Sequence, residues 1–313
     1  MITILGPTAG GKTSVAANLA YRINGEVISA DSRQVYRGMD IGTGKDICDY
    51  TVNETCVPYH LIDIVDAGYK YSVFEFQRDF LKSYHDIRER GCIPVLCGGT
   101  GLYIEAVVNG YNLLSVPPNE DLRKNLEQKN DDELVDLLTS LKKLHNKTDI
   151  DSRKRIIRAI EIELYLKDHV LNTEDYPQIY NIYFGIKYDR ETRRQRITQR
   201  LHERLKNGLI EEVEGLLQNG ITPDDLFFYG LEYKYLTLYI TGQINYSKMV
   251  EYLNIAIHQF AKRQMTWFRG MERKGATIHW IDGHLAMEEK IEMILQVMYE
   301  TENGKPKRQL SRT

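Results

Sequence analysis

Short apolar runs alternate with helix-spaced apolar stripes along most of this chain. Ile2, Ile4 and Leu5 form the first run, and Val15, Ala16, Leu19, Ala20 and Ile23 follow at three- and four-residue steps. That is the signature of a buried strand leading into an amphipathic helix. Residues 26–31, 93–97, 179–186 and 276–282 read as further strands, and residues 60–64 as a short one with Asp63 embedded. Val73, Phe76, Phe80, Leu81, Tyr84 and Ile87 share a helix face that Gly91 should end. Between the strands at 93–97 and 179–186 the texture turns helical: Leu134, Leu137, Leu138 and Leu141 form a stripe with Asp131 or Asp132 as its cap. Three amphipathic helices follow, after Asp189, from Leu209, and from Ser247 to about Arg273, and a last one carries Met287, Ile291, Ile294, Leu295 and Met298.

Strands alternating with helices predict an α/β fold on a parallel sheet. A purely helical block between two strands reads as an insertion or lid. The expected divisions are residues 1–115 as the first part of a core, 116–178 as a helical insertion, 179–283 as the second part of the core, and 284–313 as a terminal helix with a basic, disordered tail.

The turn between the first strand and helix carries the chemistry. Gly6-Pro-Thr-Ala-Gly-Gly-Lys12-Thr13 matches the spacing G-x-x-x-x-G-K-[ST], in which backbone N–H groups converge on phosphate oxygens, the lysine adds charge and the hydroxyl serves Mg²⁺. The helix behind it points its positive end at the phosphates. This makes the fold P-loop NTPase-like; a structural glycine turn is the plain alternative. Carboxyl ends of parallel strands line the ligand crevice, which predicts Asp31 beside the loop and the Gly98-Gly-Thr100-Gly turn either at the same edge or as a structural strand-to-helix turn. Residues 38–45, rich in glycine, read as a loop over a ligand or as a surface connection. Arg193, Arg196, Arg200 and Arg204 project from one helix face, either toward phosphates or as an exposed face paired with Glu191 and Glu203. Four cations within residues 153–158 suit a nucleic-acid backbone or a solvated face. In the run from Ala261 to Arg269, cations interleave with aromatics as on nucleic-acid-binding surfaces, although Trp267 and Phe268 by themselves read as core.

The chain has 313 residues, 41 basic and 44 acidic, for a formal net charge of −3. Any surface for nucleic acid must therefore be local. The four cysteines lack zinc-site spacing and read as free thiols in a reducing cytoplasm. With a strand expected from Ile2, no signal or transit peptide is expected, and no apolar run approaches the length of a membrane span. A cytoplasmic monomer is the expectation.

Taken together, the segments resemble the tRNA dimethylallyltransferase (tRNA isopentenyltransferase) family. The resemblance lies in residues 6–13, the long stretch 28–43, His60-Leu-Ile-Asp63, Gly98 to Tyr103, Arg155 to Glu161 and Ala261 to Arg269, in family order. Family members usually have serine or a similar residue at the place of Gly10, proline at the place of Asp46, a His-Pro-Asn-Asp-like run where Lys147-Thr-Asp-Ile-Asp151 stands, a Gly-Tyr-Lys element where Gly230-Leu-Glu-Tyr-Lys234 stands, and Thr-Arg at Ile257-His258. The resemblance implies transfer of a dimethylallyl group from dimethylallyl diphosphate to N6 of an adenosine beside the tRNA anticodon, with Mg²⁺ at Thr13. It implies diphosphate binding by Gly6, Pro7, Thr8, Ala9, Gly10, Gly11, Lys12, Thr13 and Arg196, and catalysis by Lys12, Asp31, Thr100 and Arg200. It implies tRNA contacts at Asp31, Ser32, Arg33, Gln34, Thr100, Arg123, Lys154, Arg155, Ile156, Ile157, Arg158, Lys262 and Arg263. Transfer to free AMP, ADP or ATP, as in adenylate isopentenyltransferases, and a small-molecule kinase are the competing readings.

Overall fold

The computed structural model describes residues 1–113, 115–142, 150–169 and 176–303, apart from the side chains of Asp168 and Glu302. The apolar run Ile2–Leu5 is strand β1, fully buried, and the stripe behind it is helix α1, Lys12–Arg22. Strand β2 (Gly25–Ser29) is followed by the polar stretch through Asp31, by a 3-10 turn at Ile47–Tyr50, by a hairpin of β3 (Thr51–Val52) and β4 (Thr55–Cys56), and by the short β5 (Tyr59–His60). Helix α2 (Val73–Glu89) begins with a capping box between Ser72 and Glu75 and buries Phe76, Phe80 and Ile87. Strand β6 (Ile93–Gly98) and helix α3 (Gly101–Val108) complete the first half.

Residues Asn112–Pro177 form one compact unit, and Met1–Tyr111 with Gln178–Thr313 form the other. The smaller unit holds α4 (Glu120–Glu127), α5 (Asp131–Leu141) and α6 (Arg153–Asp168) around Leu126, Leu134, Leu138, Ile156, Ile157 and Ile160. The cap of α5 is Asn130, in a capping box with Glu133, one residue ahead of the aspartates expected to serve. Both can accept from the first-turn amides; here Asp131 belongs to the helix and instead meets Arg153.

The larger unit resumes with β7 (Ile182–Lys187), α7 (Arg190–Lys206), α8 (Leu209–Gln218), α9 (Pro223–Phe228), α10 (Leu231–Ile240), α11 (Tyr246–Arg273), β8 (Ile278–Asp282) and α12 (Met287–Glu302). Its main sheet has the order β5-β2-β6-β1-β7-β8, every pairing parallel. Helix α1 covers one face of β1, β2 and β6 with Val15, Ala16, Leu19 and Ala20. Because all six strands run the same way, the loops after β1, β2, β6 and β7 open at one edge.

The expected strand through Asp63 stops at His60. Leu61 and Asp63 have positive φ, and Asp63 pairs with Lys45, whose buried side chain also meets Asp40 (2.8 Å) and Tyr36 O. A buried lysine needs such partners, so Asp63 braces a loop beyond the end of β5. Among the described residues, no helix is long and apolar enough to cross a membrane. All four cysteines are free. The expected disordered tail lies, from residue 304, outside the described residues.

Candidate active site

The loops at the open edge surround a cavity of about 500 Å³ lined by Lys12, Thr13, Asp31, Thr100, Arg200, Arg204, Glu232 and Gln264, among others. A second cavity, of about 460 Å³, shares Lys12, Thr13, Arg200 and Arg204 and adds Ala9 to Gly11, Asp46, Asp49 and Arg196. The two cavities thus have Lys12 and Thr13 of the phosphate loop and two arginines in common.

At the phosphate loop, Lys12 Nζ donates to Pro7 O at 2.8 Å and Arg196 Nε to Ala9 O at 3.0 Å. Arg196 also lies over the Tyr188 ring. Lys12 is enclosed by protein and meets solvent only in part; burial holds its ammonium below the usual lysine range, against the pull of Cys97 and Asp31. Pro7 has no N–H to offer, and the Thr8 N–H is already given to Gln264. The anion-binding amides therefore belong to the part of the loop that turns into α1.

The arginine face of α7 pairs differently from the expectation. Glu203 accepts from Gln199, while Arg200 meets Asp46 and Arg204 faces Glu232 at 3.7 Å, both partners lying on other segments. Burial pushes the Glu232 carboxyl up, opposed by Arg204, and lowers the Arg204 guanidinium. Gly44 makes room for these arginines: its φ is +67°, and a Cβ there would overlap the Arg204 guanidinium and stand 2.8 Å from Arg200 Nη2. A Gly44→Ala substitution should therefore cost about 1–3 kcal/mol of backbone strain and displace both guanidiniums. Chemical denaturation and pyrophosphate titration read the two effects; unchanged values in both would remove the steric role.

On the acceptor side, Asp31 Oδ1 accepts from Arg33 N at 2.9 Å, and Thr100 Oγ1 lies 3.4 Å from Ser32 N. Gln34 ties the segment together, meeting Ser29 Oγ and donating to Gly44 O at 3.0 Å. The loop at 38–45, one of whose readings was a surface connection, contributes Gly42, Thr43 and Gly44 to the cavity wall. The Glu212 carboxylate holds it, accepting from Asp40, Ile41 and Gly42 N–H and from the Tyr233 hydroxyl.

Gln264 was not among the expected site residues. It accepts Thr8 N–H at 2.8 Å and donates to Gly99 O at 3.0 Å, joining the phosphate loop to the turn that carries Thr100. One signal pointed to it: with Ile257, Ala261 and Phe268 it occupies the buried stripe of α11, a polar residue at a core position. Phe268 is fully buried, whereas Trp267, read by itself as core, is 41% exposed at the cavity beside Gly101. The helix turns neighbouring residues about 100° apart, so only one of the pair can face the sheet. Lys262 is exposed, and Arg263 lies over the Phe260 ring at the cavity wall. Arg33 sits over Phe228 at 4.9 Å.

Within the smaller unit, Ile156 and Ile157 are 2% and 7% exposed in the core, which corrects their expected role as RNA contacts. Arg123 clasps Glu161 with two nitrogens, and Arg158 meets Glu161 and Val116 O. Arg153 closes the end of α4 through the carbonyls of Leu126, Glu127 and Lys129. Lys154 and Arg155 are exposed, with Arg155 paired to Asp151.

A bound Mg²⁺ would find oxygen donors of the right kind: the Thr13 hydroxyl shares a cavity with the Asp49 carboxylate. Magnesium is commonly held by one or two protein oxygens plus substrate phosphates. Among the described residues, no group of three or more His, Cys, Asp or Glu could hold a metal ion.

Residues 34–271 match the model of the IPP transferase family. The chain is 59% identical over 300 residues to tRNA dimethylallyltransferase 2 of Bacteroides fragilis, covering 96% of this chain and 98% of the relative. It is 57% identical over 299 residues to the protein of the same name from Phocaeicola vulgatus, covering 96% and 97%. Among solved structures, the tRNA isopentenylpyrophosphate transferase of Bacillus halodurans superposes with a TM-score of 0.70 at 35% identity, covering 97% of each chain. A eukaryotic dimethylallyltransferase acting on tRNA shares the fold, with a TM-score of 0.79 at 22% identity over 99% of this chain and 81% of that one.

Proposed function

Because this chain belongs to the IPP transferase family, we propose that it transfers a dimethylallyl group from dimethylallyl diphosphate to N6 of a tRNA adenosine beside the anticodon, releasing diphosphate. The observation that supports the reading is the shared cavity, whose lining includes Lys12 and Arg200 together with Asp31 and Thr100. Each set suits one half of the reaction.

Cleavage of the carbon–oxygen bond leaves both bonding electrons on the diphosphate. Lys12, Arg200 and the amides at the start of α1 stand where that charge develops, and fixed donors there lower the barrier more than they tighten substrate binding. A magnesium ion held with Thr13 would add positive charge to the leaving group. The adenine nitrogen is a poor nucleophile because its lone pair is delocalised into the ring. Thr100 orients the amine, N6 forms its bond to the allylic carbon, and Asp31 takes the N6 proton. The adenosine must leave its stack to reach this cavity. The exposed Trp267 and Phe260 with Arg263 at the wall suit a displaced base and its backbone.

The test incubates the protein with Mg²⁺, dimethylallyl diphosphate and either unmodified tRNA or AMP, digests the products and weighs the nucleosides. Added dimethylallyl mass on tRNA adenosine alone supports the proposal. Product on AMP alone would leave the chemistry but replace the acceptor.

Lys154 and Arg155 are the exposed members of the basic run in the smaller unit. Changing both to alanine should weaken tRNA binding and reduce the slope of log K against log salt by about 1–2. An unchanged slope in filter-binding titrations would assign them to a solvated surface.

A further inference from the structure

The pairing of Arg200 carries a consequence for the leaving group. Asp46 is at the N-terminus of the 3-10 turn Ile47–Tyr50, yet its side chain does not cap that turn. It reaches instead to Arg200 Nη2, 154 residues along the chain. The Asp46 side chain is 48% exposed and that of Arg200 29%, so the carboxylate is the more solvated partner of the pair. Both line the cavity that contains Lys12 and Thr13.

We propose that Asp46 is a release residue, which competes with diphosphate for the Arg200 guanidinium. The inference rests on the reading of this cavity as the diphosphate site. The other charges around Arg200 sharpen the competition. Arg204 flanks it with like charge, and the Arg204 guanidinium is held below its usual range by burial first and by Arg200 second. Asp49 shares the cavity, and burial with the charge of Asp46 raises its carboxyl. Asp46 is therefore the anion that satisfies Arg200 when diphosphate does not. Seating the diphosphate breaks this pair, and the pair re-forms as diphosphate departs. Asp46 thereby weakens the hold on both substrate and product, which favours turnover where release is slow.

Removing the carboxylate should tighten diphosphate binding, a sign of change that structural damage would not produce. Half-exposed ion pairs have modest net strength, so the expected effect of Asp46→Asn is about three- to tenfold tighter binding of inorganic pyrophosphate, with slower dissociation. Isothermal titration with pyrophosphate and Mg²⁺ reads the first and stopped-flow chase the second. In an Arg200→Gln background, Asp46→Asn should change pyrophosphate affinity little, because the competition has no object. Equal or weaker binding in the Asp46→Asn protein would overturn the proposal; weakening seen with Mg²⁺ and absent without it would identify Asp46 as a cation ligand instead. If the parent protein made prenylated tRNA and bound pyrophosphate, such a result would leave the function intact. If the parent bound no pyrophosphate, the diphosphate reading of the cavity would fall together with this proposal.

Discussion

Replacing Asp31 by alanine should lower the rate of prenyl transfer by a factor on the order of 10² to 10⁴, the usual cost of losing a positioned general base. Affinity for tRNA should change little. Asp31 lies where β2 ends, with one carboxylate oxygen fixed by the Arg33 amide and the side chain lining the cavity with Thr100 and Lys12. That position fits a proton acceptor whose geometry is set by its own turn. Single-turnover rates at saturating substrates, measured beside tRNA binding, separate the two roles. A loss of binding as large as the loss of rate would make Asp31 a residue that positions RNA.

Lys12→Ala should cost about 10²- to 10³-fold in kcat, comparable to removal of one fixed donor from a developing charge. The parent protein supplies a second measure. Burial lowers the Lys12 ammonium, and a bound diphosphate raises it again by favouring the charged form. Binding should therefore take up protons near and above the lowered value, and affinity should fall as pH rises through it. Pyrophosphate titrations in buffers of different ionisation enthalpy read the uptake. The Lys12→Ala protein should lose this contribution, and uptake of equal size in both would place the proton on another group.

The strands and the phosphate loop were legible because each rests on local spacing. Ile2, Ile4 and Leu5 need only a sheet to bury them, and Gly6 to Thr13 need only their own backbone. Asp31 and Thr100 followed from the parallel sheet, since each stands just beyond a strand's carboxyl end. The misread elements depend on distant partners. Asp63 resembles a strand acid until Lys45 claims it, and the partners of the arginine face resemble Glu191 and Glu203 of the same helix until Asp46 and Glu232 meet Arg200 and Arg204 from distant segments. The hairpin at residues 51–56 is two residues per strand, too short to impose a period. Trp267 and Phe268 show the limit of composition: both are large and apolar in part, and the helix turn alone decides which is buried.

The bonds that close the pocket also set when it can exist. The Thr8 amide waits for a side chain 256 residues later in the chain, and the loop at residues 40–42 waits for a carboxylate about 170 residues later. At ribosomal speeds of roughly 5–20 residues per second, the phosphate loop precedes its clamp by on the order of tens of seconds. For most of that interval, until residue 187 is made, β1 has no β7 beside it, and until α11 follows the phosphate loop has no Gln264 to hold it. The nascent chain thus carries the phosphate-loop sequence without the assembled pocket. Competence arrives late in synthesis, when α11 docks.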